Sequence, residues 1–97
     1  MVLSKLRSTE PEVVRPGLYK HYKGRVYHVI TAVRHSETSE CLVVYKAIHG
    51  RQTWVRPKQM FFEMVRADHG WTPRFSLLNP GEQLAAHSSV EQLELFA

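Results

Sequence analysis

Apolar and polar residues alternate through the middle of this chain and lose step at both ends. From Met1 to Val14 no period is sustained, and the segment reads as a loose arm or a short helix. Arg15-Pro16-Gly17 is a turn signal, and strand character begins behind it. "LYKHY" alternates with aromatic residues, and Lys23-Gly24 follows as a tight-turn dipeptide. "RVYHVITAVRH" is rich in β-branched and aromatic side chains, which fit a pleated, half-buried surface, and it is long enough for a bent strand. On a regular strand Val26, His28, Ile30 and Ala32 share one face, and Tyr27, Val29, Thr31 and Val33 share the other. "SETSE" is a polar turn, "CLVVYKAIH" a third strand, and "GRQ" turns into "TWVRP". Pro57 cannot donate to a ladder, so it ends the fourth strand or marks an edge. "PKQMFFEMV" predicts one or two helical turns with Met60, Phe61 and Met64 on one side. "RADHGWTP" reads as loop and "RFSLL" as a short closing strand.

These elements predict a mostly β fold. It is a small SH3-like barrel or a strongly curled antiparallel sheet, with one short helix and flexible or helical termini. Closure would remove the aggregation-prone edges of a meander. The rival is an open sheet packed under the Met60–Val65 helix and the N-terminal arm. The expected divisions are an arm over 1–14, the SH3-like β domain over 15–78 and a C-terminal tail over 79–97. The tail opens with a helix-start pattern: Asn79 as cap, Pro80 in the first turn, Glu82 completing a box. A helix from there would align Leu84, His87 and Glu91 in one row. Ala86, Val90 and Leu93 would form a second row able to dock on the domain. Gly81, Ser88 and Ser89 weaken that helix.

Four blocks, "PGLYKHYKGRVYHV", "RHSETSECLVVYKA", "WVRPKQMF" and "PRF", run in order from Pro16 to Phe75. In these the chain resembles the bacterial domain-of-unknown-function family 1653. The resemblance implies a small SH3-type barrel and brings no activity with it. Its motif positions are Tyr19, His21, Tyr22, Lys23, Gly24, His35, Glu37, Glu40, Tyr45, Trp54, Arg56, Pro57 and Phe61. It stops before the tail.

Ninety-seven residues fit one domain, and 43% hydrophobic with 23% charged residues is ordinary for a soluble chain. No apolar run approaches the ~20 residues that span a bilayer, and no long apolar stretch follows the first basic residues. Neither a membrane partner nor a secretory leader is expected. The single cysteine, Cys41, excludes an internal disulfide and a multi-cysteine zinc site, and points to a reducing, cytoplasmic setting. The net charge of +4 is uneven. Eleven Lys and Arg face four acids between Arg15 and Phe75, whereas the last twenty-two residues carry three acids and no Lys or Arg. A basic body draws anionic partners such as nucleic acid, although a merely solvated positive surface has the same composition.

The candidate chemistry lies in four places. In "RHSETSE", His35 and Glu37 would share a strand face, with Glu40 and Cys41 close behind. They form a metal half-site needing His21 or His28 from elsewhere, a carboxylate-tuned histidine, or a structural turn whose hydroxyls satisfy backbone amides. The spacing matches no standard metal motif. In "TWVRP", Trp54 and Arg56 alternate onto one face; they grip a planar or anionic group, or they are a core aromatic and an ion-paired cation. In "YKHYKGR", with Arg25, Arg34, Lys46 and Arg51, aromatics interleave with cations that could hold single-stranded nucleic acid by stacking and phosphate neutralisation, with at most one of Tyr19 and Tyr22 as the platform on a regular strand, or that merely cover a solvated face. No nucleophile-and-base arrangement, resident metal or cofactor is expected.

The fourth place is "QLELF", residues Gln92 to Phe96, which resembles the pentapeptide that docks bacterial replication and repair proteins onto the DNA sliding clamp. By position, Gln92 would hydrogen-bond in the clamp pocket, Leu93 would meet its rim, and Leu95 with Phe96 would fill its apolar groove. The competing fate is packing against the chain's own domain. Three functional readings therefore stand. One is a non-enzymatic binding module with a basic face, recruited to the clamp. Another is a small-ligand or metal site, with or without enzyme activity, at His35, Glu37, Glu40 and Arg56. The third is a nucleic-acid-binding barrel.

Overall fold

The computed structural model describes residues 10–86. Strands form where β-branched and aromatic residues concentrate: β1 Gly17–His21, β2 Val26–Arg34, β3 Cys41–Ala47 and β4 Thr53–Pro57. A short helix, α1, spans Lys58–Phe61, and is followed by β5 Met64–Ala67, β6 Gly70–Pro73 and β7 Phe75–Leu77. Residues 80–86 are helical and form α2. β1 to β4 and β7 make an antiparallel sheet in the order β4-β3-β2-β1-β7, and β5 pairs with β6 as a separate hairpin. The sheet is curled but open, so the barrel alternative is corrected. β4 ends at Pro57, which has no N–H to donate, and the chain turns there into α1.

The turns follow from local chemistry. Gly24 has φ +109°, which suits a residue without a Cβ, and its N–H donates to the His21 carbonyl at 2.7 Å to close the β1–β2 turn. In β2 the register slips between Val29 and Thr31: Val29 faces Tyr45, but Thr31 faces Val44. Ile30 is the extra residue of a β-bulge. This corrects the regular alternation expected for β2. Beyond the bulge Ala32, not Thr31, continues the Tyr27–Val29 face, opposite Val43, while Val33 faces Leu42 on the other side.

The inner face carries the core: Tyr19, Val29, Val43, Tyr45, Phe61, Phe62 and Phe75, with Val14 and Tyr27 packed against it. Phe61 stacks on Phe75 with ring centroids 4.0 Å apart and an interplanar angle of 1°. Edge-to-face contacts from Tyr19 and Tyr45 to Phe61 surround the pair. Each such contact contributes about 0.5–1.5 kcal/mol beyond burial. The helical stripe expected from Met60, Phe61 and Met64 is also corrected. Met60 is exposed, Phe61 and its neighbour Phe62 are both buried, and Met64 already belongs to β5. Phe62 is the C-cap of the helix, with φ −100° and ψ 12°, and the chain is extended again from Met64. The segment "RADHGWTP" then contributes to a hairpin rather than a loop, with Arg66 opposite Trp71 and its guanidinium 5.9 Å from the indole.

α2 begins as its sequence predicts. The Asn79 N–H donates to Glu82 Oε1 at 3.0 Å, and the Glu82 N–H donates to Asn79 Oδ1 at 2.8 Å, a reciprocal capping box. Its next residue ties the helix to the sheet. Gln83 Oε1 accepts the Leu18 N–H at 2.9 Å, and Gln83 Nε2 donates to the carbonyls of Leu18 at 2.7 Å and Leu78 at 3.0 Å. β7 stops at Leu77, and this carboxamide continues the ladder along β1 where the strand is missing. Gly17 beside it takes φ +137°, a conformation that L side chains rarely adopt, whereas a Cβ there would make only ordinary contact with Gln83 Oε1 at 3.4 Å.

Replacing Gln83 by Leu leaves the amide of the buried Leu18 without its partner. We predict a loss of about 1–3 kcal/mol in urea unfolding. Leu84→Ala, at a neighbouring residue that is 70% exposed, stays within about 0.5 kcal/mol. Equal effects of the two changes would show that Gln83 does not anchor α2.

Candidate functional site

β1, β7 and the curl of the sheet gather one cluster of aromatic and cationic side chains. His21 ends β1, directly opposite Phe75 of β7, and their rings lie 4.9 Å apart. The Tyr22 ring lies 4.6 Å from His21. Tyr27 and Tyr45 meet Phe75 edge-on at 5.4 and 5.7 Å. Arg56 reaches in from β4, with its Nε donating to Tyr45 Oη at 3.3 Å and its guanidinium carbon 5.9 Å from the Phe75 ring centroid. Next to Phe75, Arg74 pairs through one terminal nitrogen with Glu63 Oε1 at 2.6 Å. Its buried Nε has no hydrogen-bond partner.

The electrostatics are one-sided. His21 Nδ1 accepts the Lys23 N–H at 3.1 Å, which leaves the proton of the neutral ring on Nε2. Burial lowers the His21 pKa, and the positive charges of Arg74, Arg56 and Lys23 lower it further. At neutral pH His21 is therefore an uncharged donor among three cations. It makes a poor general base, because its unprotonated nitrogen already accepts a backbone amide. Donors and cations together favour an anion.

The residues expected from sequence divide into those in this cluster and those outside it. His21, Tyr22 and Arg56 belong to it. Trp54 shares the inner face with Arg56, across from Tyr45, but lies at the sheet edge and is 52% exposed. Tyr19 is core, with its hydroxyl donating to the Arg15 carbonyl at 2.7 Å and its pKa raised chiefly by burial. His28 pairs with Leu18 and Lys46 on the opposite face from His21. His35, Glu37 and Glu40 form the β2–β3 turn. His35 Nδ1 accepts the amides of Glu37 and Thr38, Thr38 Oγ1 accepts the amide of Glu40, and Ser39 takes φ 62°. Arg34 donates to the Ser39 carbonyl at 2.9 Å. Among the described residues no three His, Cys, Asp or Glu side chains assemble as a metal group. The peptide Gln92, Leu93, Leu95 and Phe96 lies outside the described residues.

Sequence reasoning missed Arg74, Tyr27, Tyr45 and Phe75 as site residues. The only signal was Arg74 beside an aromatic in "PRF". A separate recess of about 370 Å³ shares Phe75 with the cluster but is otherwise walled by residues such as Val13, Tyr19, Phe62 and Leu77, with Arg15 as its charged group.

Comparison with known proteins agrees with the fold. A family model described as "Protein of unknown function (DUF1653)" matches residues 17–77. A crystal structure of a DUF1653 protein from Bordetella bronchiseptica is similar, with a TM-score of 0.60 and 34% sequence identity. The match covers 69% of this chain and 94% of that one. No curated protein matches.

The lowered His21 pKa sets a pH dependence. The unfolded chain binds the His21 proton more tightly than the folded chain, so stability falls as pH drops below about 6.5, the ordinary imidazole value. NMR titration of the His21 ring is expected to give a midpoint below that value, and His21→Gln is expected to flatten the acid loss of stability. A His21 midpoint at or above the ordinary value would contradict the clustered cations.

Proposed function

The chain belongs to the DUF1653 family, and from that premise we propose that it is a non-enzymatic binding module whose basic inner face takes an anionic group carried on a flat, apolar body. The gathering of Arg56 over Phe75, Lys23 over the Tyr22 ring and a neutral, donating His21 between those rings carries this reading, while Arg74 is already paired with Glu63. Arg56 offers the planar, multi-donor guanidinium that matches carboxylate and phosphate geometry. Tyr22 and Trp54, beside the cations, supply faces for stacking. His35, Glu37 and Glu40 support the hairpin rather than the ligand in this reading.

The test is a melting screen and calorimetric titration at low salt with inorganic pyrophosphate, adenosine monophosphate and a short single-stranded oligonucleotide. Adenosine monophosphate is expected to raise the melting temperature more than pyrophosphate does. Arg56→Ala is expected to weaken it about ten- to a hundredfold, the equivalent of losing a charge-assisted hydrogen bond. Binding of the oligonucleotide alone, falling steeply with salt, would favour the nucleic-acid alternative instead. No stabilisation by any of the three would end the anion reading.

A second reading rests on Gln92 to Phe96, whose match to the clamp-docking pentapeptide supports recruitment to the DNA sliding clamp in replication or repair. A few buried apolar anchors carry most of the affinity in such peptide-in-groove contacts. Titration against the clamp is expected to show binding that the Leu95→Ala, Phe96→Ala double variant loses. Unchanged binding by that variant would remove this reading.

A further inference from the structure

β4 is an open edge of the main sheet, and its central residues are the most exposed large hydrophobic residues of that sheet. Trp54 is 52% and Val55 59% exposed. At the other edge β7 has three residues, and the Gln83 side chain continues its ladder. An unblocked strand edge is a template for another strand. From the register of β4 we infer that two copies of this chain pair antiparallel through their β4 edges, centred on Val55, so that Trp54 of the partner subunit lies beside Arg56.

The sequence of the edge selects a second copy as the occupant. Trp54 and Arg56 point to the inner face, and Val55 points to the outer face. In a two-fold pairing centred on Val55, each Trp54 stands opposite the other copy's Arg56, and Val55 stands opposite itself. Directly opposed side chains in such a ladder have Cβ atoms about 4.5–5.5 Å apart, within reach of a cation–π contact. Centring on Arg56 would instead oppose two like charges, which is unfavourable. On the outer face the two Val55 side chains, each 59% exposed in the single chain, would meet beside Val44. The contact is isologous, so it closes at two chains and does not propagate. Pro57 limits the edge at one end and fixes its length.

The pairing would change the anion site. Arg56 already lies over Phe75 and bonds Tyr45, and the indole of the partner subunit would cover it from outside. Only this last consequence rests on the anion reading; the pairing itself does not.

The experiment uses the full chain. Sedimentation over a range of concentrations is expected to show a monomer–dimer equilibrium, which Val55→Lys shifts to monomer while circular dichroism stays unchanged. In a Cys41→Ser background, Val55→Cys is expected to cross-link rapidly with a short bifunctional thiol reagent. Thr53→Cys is expected not to, because its two copies would lie about 13 Å apart at roughly 3.3 Å per residue. A wild-type chain that stays monomeric throughout would overturn the inference, as would a dimer that survives Val55→Lys, or equal cross-linking at the two positions. Adenosine monophosphate binding that persists in the Val55→Lys monomer, weakened severalfold, would be expected if Trp54 of the partner subunit covers Arg56. Unchanged affinity there would remove that role. Loss of the dimer without any ligand binding in the wild type would count against the anion site alone.

Discussion

Phe61 lying flat on Phe75 is the contact on which the shape of the domain depends. Phe75 begins β7, next to β1, whereas Phe61 closes α1, beyond β4 at the opposite edge of the sheet. Stacked rings 4.0 Å apart therefore bring the two edges toward each other without β4 pairing with β7. The curl is held by side chains instead of by a closed ladder. The salt bridge from Arg74 to Glu63 and the amide of Arg74 on the Glu63 carbonyl strap the same junction from outside.

The cation cluster is a by-product of that junction. Once Phe75 is fixed against Phe61, its remaining edges meet His21, Tyr27 and Tyr45, and its flank meets Arg56. Core and site are then one body of rings, buried at Phe61 and partly open at His21 and Tyr22. The side chains of the cluster are held by packing against one another. That packing also explains why burial is the first cause of the His21 shift, ahead of the neighbouring charges.

The first four strands were legible because β-branched runs and Gly- or Pro-marked turns are local signals. Barrel or open sheet was not, because closure depends on whether two edges far apart in sequence meet. The bulge at Ile30 escaped because one added residue leaves the composition of β2 unchanged while moving Ala32 to the other face. The β5–β6 hairpin escaped because Met60, Phe61 and Met64 imitate helical spacing. The capping box was legible in full: Asn79 and Glu82 act within one turn. Of the site, Tyr22 was legible as an aromatic among cations, Arg56 as the cation alternating with Trp54, and His21 as a candidate ligand and motif position. Arg74 could not, since nothing local places it against residues fifty positions earlier.

Gln83 has a consequence for the order in which the molecule assembles. Its bonds to Leu18 join residues 65 apart in the chain, and they require β1 to be in place first. Closing so long a loop has a high entropic cost and returns little until the sheet exists to receive it. The clasp is therefore among the last native contacts to form and among the first to open. Transient release of α2 would expose the Leu18 amide while the aromatic core stays intact, making this end of the domain a local unfolding unit of its own.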